Sequence, residues 1–164
     1  MTVRVGVLDG PVTVTCYGVD RRPSRRSDRI YALVGLLAWA RGDGLSTGQL
    51  TDLLWQRPAE EVLRKTVQRA RRLMDQPQAI INLRGAYMLN ERAVTCDLWE
   101  LEDEALNLLG RDDPQAIVDW ARRASTARPP QGVSDRRLAE RARLLASLSM
   151  PRQARDLLGS RAGG

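Results

Sequence analysis

The stretch EEVLRKTVQRARRLM, residues 60–74, decides the fold of this chain. Its apolar residues recur at spacings of four, three and four positions, which places them on one face of a helix. They are Leu63, Val67, Ala70 and Met74. Acidic residues in the first turn and arginines near the last turn agree with the helix dipole. Because the outer face carries mostly Arg, Lys and Gln, the sequence predicts an amphipathic helix that either lies in a DNA groove or is a solvated surface.

The net positive charge of the chain lies in its first part. Residues 1–93 contain 15 Arg and Lys against 9 Asp and Glu, whereas residues 94–164 contain 11 of each, so the net charge of +6 belongs to the first part. A positive field on one module attracts polyanions, and the neutral second part is better suited to a protein partner. Since 25 of the 26 basic residues are Arg, the composition also reflects a general preference for Arg that indicates no particular ligand.

The residue types present argue against catalysis. The sequence has no histidine, which removes the usual general base and the commonest metal ligand. It also has no GxxxxGK[ST] or GxGxxG phosphate-binding motif. Adjacent acidic residues such as Asp112 and Asp113 are typical of helix caps or exposed faces. We therefore expect a protein that binds without chemistry and uses no metal or cofactor.

The sequence favours a cytoplasmic location. No apolar run approaches the eighteen or so residues of a membrane span, and the start TVRVGVLDG differs from a signal peptide. Cys16 and Cys96 form no zinc pattern, and we expect both to be reduced. We expect no contact with a membrane.

Turn and cap signals divide the first part into short strands and three helices. Alternating valines predict antiparallel strands over 3–7 and 12–16, with a third strand within 18–24. A helix begins at Ser27 and ends at the glycines of 42–44, with Ile30, Leu33, Val34 and Leu37 on its buried side. The run LSTGQL at 45–50 is a capping box that starts a helix ending near Trp55, with Leu50, Leu53 and Leu54 buried. Since the basic helix follows after a tight turn, the order predicts a helix-turn-helix.

A β-hairpin follows the basic helix. The segment AIINLRGAYML, 79–89, has two short apolar strands around Arg84 and Gly85. Taken alone, it is a surface hairpin with an exposed arginine. Directly after a basic helix it predicts the wing of a winged helix, whose arginine reaches a narrow groove. We therefore expect an α+β winged helix-turn-helix over residues 1–93, with an N-terminal β-sheet, three helices and a hairpin wing.

Residues 94–164 read as a small all-α module. Helices are predicted from Trp99 to Gly110, from Pro114 to Ala127, after a Ser134 cap, and from Pro151 through Leu158. The predicted core positions of the first and third of these helices include Leu106, Leu109 and Leu148. Small residues where the helices cross favour TPR-like packing. Trp99 and Trp120 are better explained as core residues than as a binding groove.

Three motifs carry a resemblance to a known family. LLW at 53–55, VQRARR at 67–72 and NLRGAY at 82–87 resemble the OmpR/PhoB-type winged-helix DNA-binding domain, most closely that of SARP-type transcriptional activators. The resemblance covers residues 1 to about 92, although the chain has RGAY where the family wing has RGTGY. The second part is similar to a shortened bacterial transcriptional activator domain.

The resemblance implies roles for particular residues. Arg64, Lys65 and Arg69 correspond to base-facing positions, and Arg71 to a phosphate-binding one. Trp55 matches a phosphate-binding tryptophan, the alternative being a plug beneath the turn, and Arg84 matches the minor-groove arginine with Asn82 at its base. The helical spacing itself places Lys65, Gln68 and Arg72 opposite the buried face. The candidate DNA-binding residues are therefore Trp55, Arg64, Lys65, Gln68, Arg69, Arg71, Arg72, Asn82 and Arg84, with Arg25, Arg26 and Arg29 as further phosphate candidates.

These observations predict a sequence-specific regulator of transcription that binds double-stranded DNA. The resemblance implies an activator that recruits RNA polymerase or a sigma factor through Gln56, Arg57 and the helical part, and a homodimer on DNA is left open. The main alternative is a protein-interaction adaptor or anti-activator with a degenerate winged helix. An RNA-binding winged helix is disfavoured because the chain has only four Trp and three Tyr. An enzyme is the weakest alternative.

Overall fold

The computed structural model describes residues 3–22, 27–147 and 150–159. Its fold is α+β and divides into two compact units. One unit runs to Asp97 and includes Pro130–Val133. The other contains Leu98–Pro129 and continues from Ser134. Each unit has its own core.

The chain starts with three antiparallel strands, β1 (Val3–Gly6), β2 (Thr13–Cys16) and β3 (Val19–Arg21). The predicted alternation is confirmed, because the β1 and β2 side chains that face the core are buried and their neighbours are not. The predicted third strand is present as β3. A two-residue turn joins β2 to β3, and φ is positive at both of its residues, Tyr17 and Gly18.

The central helix of the first unit is α1 (Asp28–Ala40). The sequence predicts one buried side, but every residue of 33–39 is buried, and Ile30 is only half-buried. A helix that is apolar all round belongs in a core. It ends at a 3-10 turn, Arg41–Asp43, within the predicted glycine segment. At Gly44, φ is +65° and an added Cβ would lie 2.7 Å from the carbonyl oxygen of Tyr87, so only glycine fits.

The capping box is confirmed. Ser46 Oγ accepts a hydrogen bond from the Gln49 backbone N–H at 3.2 Å, and Gln49 Oε1 accepts one from the Ser46 N–H at 2.9 Å. They begin α2 (Thr47–Trp55), in which Leu50 and Leu54 are buried and Leu53 is half-buried. A short strand that the sequence did not predict, β4 (Leu45–Ser46), precedes the helix.

The basic helix and the hairpin are both confirmed as elements. Helix α3 spans Glu60–Leu73, and β5 (Ile80–Leu83) pairs antiparallel with β6 (Ala86–Leu89). Strand β6 also pairs with β4, which gives a three-stranded sheet in the order β4-β6-β5. The hairpin is therefore part of a sheet that is joined to the start of α2.

The first unit extends beyond the expected boundary at residue 93. Strand β7 (Val94–Cys96) pairs in parallel with β1 and completes a four-stranded sheet in the order β3-β2-β1-β7. The Asp97 carboxylate then accepts hydrogen bonds from the backbone N–H groups of Val7 and Leu8 at 2.9–3.1 Å. The three-residue strand was missed because it forms only by pairing with a strand ninety residues earlier in the sequence.

The regular secondary structure among the described residues of the second unit is helical. Its helices are α4 (Asp97–Leu108), α5 (Pro114–Thr126), α6 (Arg136–Ser147) and α7 (Arg152–Leu158). Asp113 caps α5, since its Oδ1 accepts from the Ala116 N–H at 3.0 Å, and Ser134 Oγ accepts from the Arg136 N–H at 3.1 Å. Both agree with the sequence prediction.

Trp120 anchors the core of this second unit. Its side chain is fully buried, and Nε1 donates to the carbonyl oxygen of Leu101 at 2.7 Å. Trp99 is buried too, as expected for a core residue. The core prediction for Leu106 is wrong, since 42% of this residue is exposed, and Leu109 is half-buried. Leu148 lies outside the described residues.

Cys16 and Cys96 are both buried and are not joined by a disulfide, as the sequence predicts. Among the described residues, no helix combines the length and the apolar character needed to cross a bilayer.

Candidate nucleic-acid interface

Helix α3 has sequence signals for both its stability and its direction. Glu60 and Glu61 lie in its first turn, and Arg71 and Arg72 lie in its last. Negative charge near the N-terminus and positive charge near the C-terminus both interact favourably with the helix dipole. The side chain at its N-cap, Ala59, accepts no hydrogen bond. The helix therefore depends on these charges and on its buried face.

The two faces of α3 differ sharply in burial. The inner face, Leu63, Thr66, Val67 and Ala70, is buried. Opposite it, six exposed polar side chains line one surface depression of about 510 Å³. This outer stripe consists of Glu61, Arg64, Lys65, Gln68, Arg69 and Arg72. All five α3 residues other than Arg71 that the sequence nominated for DNA contact are in the stripe.

The outer stripe also contains one carboxylate that the sequence did not nominate. Glu61 Oε1 lies 3.1 Å from Nζ of Lys65, one helical turn later. The hydrogen bond from Lys65 and its charge hold the pKa of Glu61 below its ordinary value, with a smaller contribution from the charge of Arg64. At neutral pH this carboxyl group is therefore ionised within a basic surface. The spacing of three and four residues from Arg64 and Lys65 would have revealed it.

Arg71 is separated from the outer stripe by its hydrogen bonds. Its Nε and Nη2 both donate to the carbonyl oxygen of Ile80, at 3.0 and 2.8 Å, and the residue is half-buried. These hydrogen bonds link two elements of the first unit, and the expected phosphate contact of Arg71 stays a prediction. The guanidinium joins the last turn of α3 to the first residue of β5, and this contact was not evident from the sequence.

Arg84 and Asn82 are exposed on the hairpin. Arg84 and Gly85 form its two-residue turn with φ of 54° and 82°. Positive φ at both positions is the pattern of a type I′ turn, where Asn-Gly is the favoured pair. Arginine in the left-handed region is strained. Asn82 is opposite Tyr87 in the strand pairing.

The remaining candidates lie around the end of α2. Trp55 is half-buried in its last turn, a position compatible with either of its two expected roles. Arg29 donates to the carbonyl oxygen of Leu54, a hydrogen bond that ties α1 to α2, and its expected phosphate contact stays a prediction. Gln56 and Arg57 are exposed in the turn before α3. Arg25 and Arg26 lie outside the described residues.

Neither protein-family models nor curated proteins give a match to this chain.

The side chains of the outer stripe can donate and accept hydrogen bonds. Within the described residues, no group of three or more Cys, Asp or Glu side chains could hold a metal ion. The outer stripe offers guanidinium, ammonium, amide and carboxylate groups on one rigid helix. Such groups form hydrogen bonds with phosphates and with the edges of base pairs.

Proposed function

We propose that the chain is a sequence-specific DNA-binding regulator of transcription, in which α3 is the recognition helix of a winged helix-turn-helix. The observation that carries the proposal is the outer stripe, because all its members lie on one exposed helix face opposite a buried face. From Glu61 to Arg72 the stripe extends about 16 Å along the helix axis. That length matches about five base pairs of B-DNA.

The elements on either side of α3 support the same proposal. Helix α2 precedes it through a four-residue turn, and the β5–β6 hairpin follows it. In this order α3 lies in the major groove and the hairpin is the wing, with Arg84 directed at the neighbouring minor groove. Arg64 and Arg69 would pair with guanine, and Gln68 with adenine. Arg72 would bind phosphate, and Asn82 and Trp55 would support the contact.

The second unit would supply the protein contact. Buried alanines on α5 and α7, Ala121, Ala124 and Ala154, allow helices to approach closely, which supports TPR-like packing. By resemblance to SARP-type activators, we propose that this module and the exposed turn at Gln56 and Arg57 recruit RNA polymerase or a sigma factor. The protein would act in the cytoplasm, at the nucleoid, and without catalysis.

Selection of bound sequences from a random DNA duplex pool tests the proposal. The full chain should enrich one motif, and direct repeats within it would indicate two copies on DNA. Binding to the selected duplex should weaken with salt, with a log-log slope near −0.9 for each phosphate neutralised. If no motif is enriched and affinity for all duplexes is low, the protein is an adaptor with a degenerate winged helix instead.

A further inference from the structure

The first residue of the outer stripe is an acid, Glu61. Glu61 is in the first turn of α3, three residues before Arg64 and seven before Gln68, so all three lie on one helix face. Its side chain is 72% exposed. In a recognition helix, the N-terminal residues are those that reach base edges. Glu61 is therefore on the face, and at the end, that would enter the groove.

The ion pair with Lys65 is exposed and therefore weak, so the Glu61 carboxylate is still unfavourable beside DNA phosphates unless a donor on the DNA also satisfies it. The major groove offers such a donor at cytosine, whose N4 amino group pairs with Glu or Asp side chains. The other bases either present acceptors, as guanine does at N7 and O6, or combine an amino group with an acceptor, as adenine does. Glu61 should therefore favour cytosine over the other three bases.

We propose that Glu61 is a specificity-determining residue that accepts a hydrogen bond from the N4 amino group of a cytosine in the target duplex. This inference rests on the proposed DNA-binding function. Lys65 has a positioning role, since its ammonium group, 3.1 Å from Glu61 Oε1, holds the carboxylate on the exposed face.

The neighbouring acid, Glu60, provides a matched control. Both glutamates lie in the first turn of α3 and both are exposed, so both interact with the helix dipole. Glu60 is not among the residues that line the depression. An effect on helix stability should follow from replacing either residue, whereas an effect on base readout should follow only from replacing Glu61.

The experiment compares the full wild-type chain with Glu61→Ala, Glu61→Gln and Glu60→Ala by selection from a random duplex pool at fixed salt. The wild type should enrich a motif with one position dominated by cytosine. Glu61→Ala should lose the preference at that position alone, by about tenfold, and should bind unrelated duplexes more tightly because a negative charge is removed. Glu61→Gln should shift the position toward adenine, and Glu60→Ala should retain the motif.

Two results overturn the inference, and they are distinguishable. If the wild type enriches a motif that Glu61→Ala leaves unchanged, Glu61 serves only the charge balance of α3, and the proposed DNA-binding function survives. If the wild type enriches no motif, the proposed function and the role of Glu61 fail together. Circular dichroism shows whether each variant keeps the helix content of the wild type.

Discussion

Arg71 and Ile80 join the recognition-helix candidate to the hairpin, since two guanidinium nitrogens of Arg71 donate to the one carbonyl oxygen of Ile80. This carbonyl belongs to the first residue of β5, and the hairpin tip is four residues further along the chain. The contact therefore fixes the base of the hairpin against the last turn of α3. Arg71 and Arg72 are adjacent in sequence, yet they have different environments and should have different functions.

Replacing Arg71 should lower the stability of the fold and leave the salt dependence of DNA binding unchanged. Arg71→Ala should lower the free energy of unfolding by about 1.5–3 kcal/mol, because it removes hydrogen bonds from a charged donor and leaves the Ile80 carbonyl without them. Arg71→Lys should cost an intermediate amount, since an ammonium group cannot reproduce the two-pronged geometry. Urea unfolding followed by circular dichroism measures both changes.

Arg72→Ala is the control for that substitution. Arg72 is exposed, so its loss should change the free energy of unfolding by no more than about 0.5 kcal/mol. The slope of log affinity for DNA against log salt should shrink by about 0.9, and the Arg71→Ala slope should stay at the wild-type value. A reduced slope in Arg71→Ala would mean that Arg71 leaves Ile80 and binds phosphate.

Base preference should depend on Arg64 and Arg69. Each guanidinium lies in the outer stripe, where it can pair with guanine O6 and N7. Arg64→Ala or Arg69→Ala should cost about 1–3 kcal/mol on the selected duplex and relax the preference at one base pair. Competition with single-base variants of the duplex measures this. Equal losses of affinity for the selected duplex and for unrelated duplexes would show that both arginines contact only the DNA backbone.

Stability at alkaline pH should depend on Tyr31. Its hydroxyl donates to the carbonyl oxygen of Arg21 at 2.6 Å. Burial, and then the nearby Cys16, raise the pKa of Tyr31, while Arg21 opposes the shift. A group with a raised pKa in the folded state contributes stability that is complete below its unfolded pKa, near 10. That stability is lost as the pH rises through the folded value.

Tyr31→Phe should therefore be less stable than the wild type at neutral pH, by about 0.5–1.5 kcal/mol for the lost hydrogen bond. The difference between the two proteins should narrow as the pH rises above about 10. Urea unfolding of both proteins between neutral and strongly alkaline pH checks this. A difference that stays constant over the whole range would mean that Tyr31 titrates as it does in the unfolded chain.

Local signals in the sequence predicted most elements, whereas contacts between distant residues were not predictable. The capping box at Ser46 and Gln49 and the two faces of α3 follow from spacing alone, so both were found. Strand β7 depends on pairing with β1. The Arg71 hydrogen bonds likewise require α3 and β5 to be placed together. A sequence pattern shows which side of a helix is polar, but not which of its arginines find an internal acceptor.

Two residues of the second unit test how its core is built. Trp120→Phe removes the hydrogen bond to the Leu101 carbonyl and leaves a cavity, so it should cost roughly 2–4 kcal/mol. Leu106→Ala removes an apolar side chain that is 42% exposed, and it should cost no more than about 0.5–1 kcal/mol. Urea unfolding of each variant measures the difference. Equal costs would mean that Leu106 is covered by a partner or a second copy in solution.

Replacing Arg84 should have opposite effects on stability and on DNA binding. Its φ of 54° places it in the left-handed region at a turn where Asn-Gly is preferred. Arg84→Asn should therefore raise the free energy of unfolding by about 1 kcal/mol, because asparagine tolerates this conformation better than arginine. The same change should lower affinity for the selected duplex about tenfold, or about 1.4 kcal/mol, because the guanidinium group of Arg84 is no longer available to the minor groove.

Arg84→Lys separates the two effects. Lysine keeps the positive charge and the strained turn, so its stability should match that of the wild type and its affinity should lie between those of wild type and Arg84→Asn. Thermal unfolding and titration of a labelled duplex, performed on the same samples, give both quantities. If Arg84→Asn is more stable and binds DNA as tightly as the wild type, the arginine at the turn has no role in DNA binding. Lower stability in Arg84→Asn would instead show that the arginine side chain makes a stabilising contact within the protein.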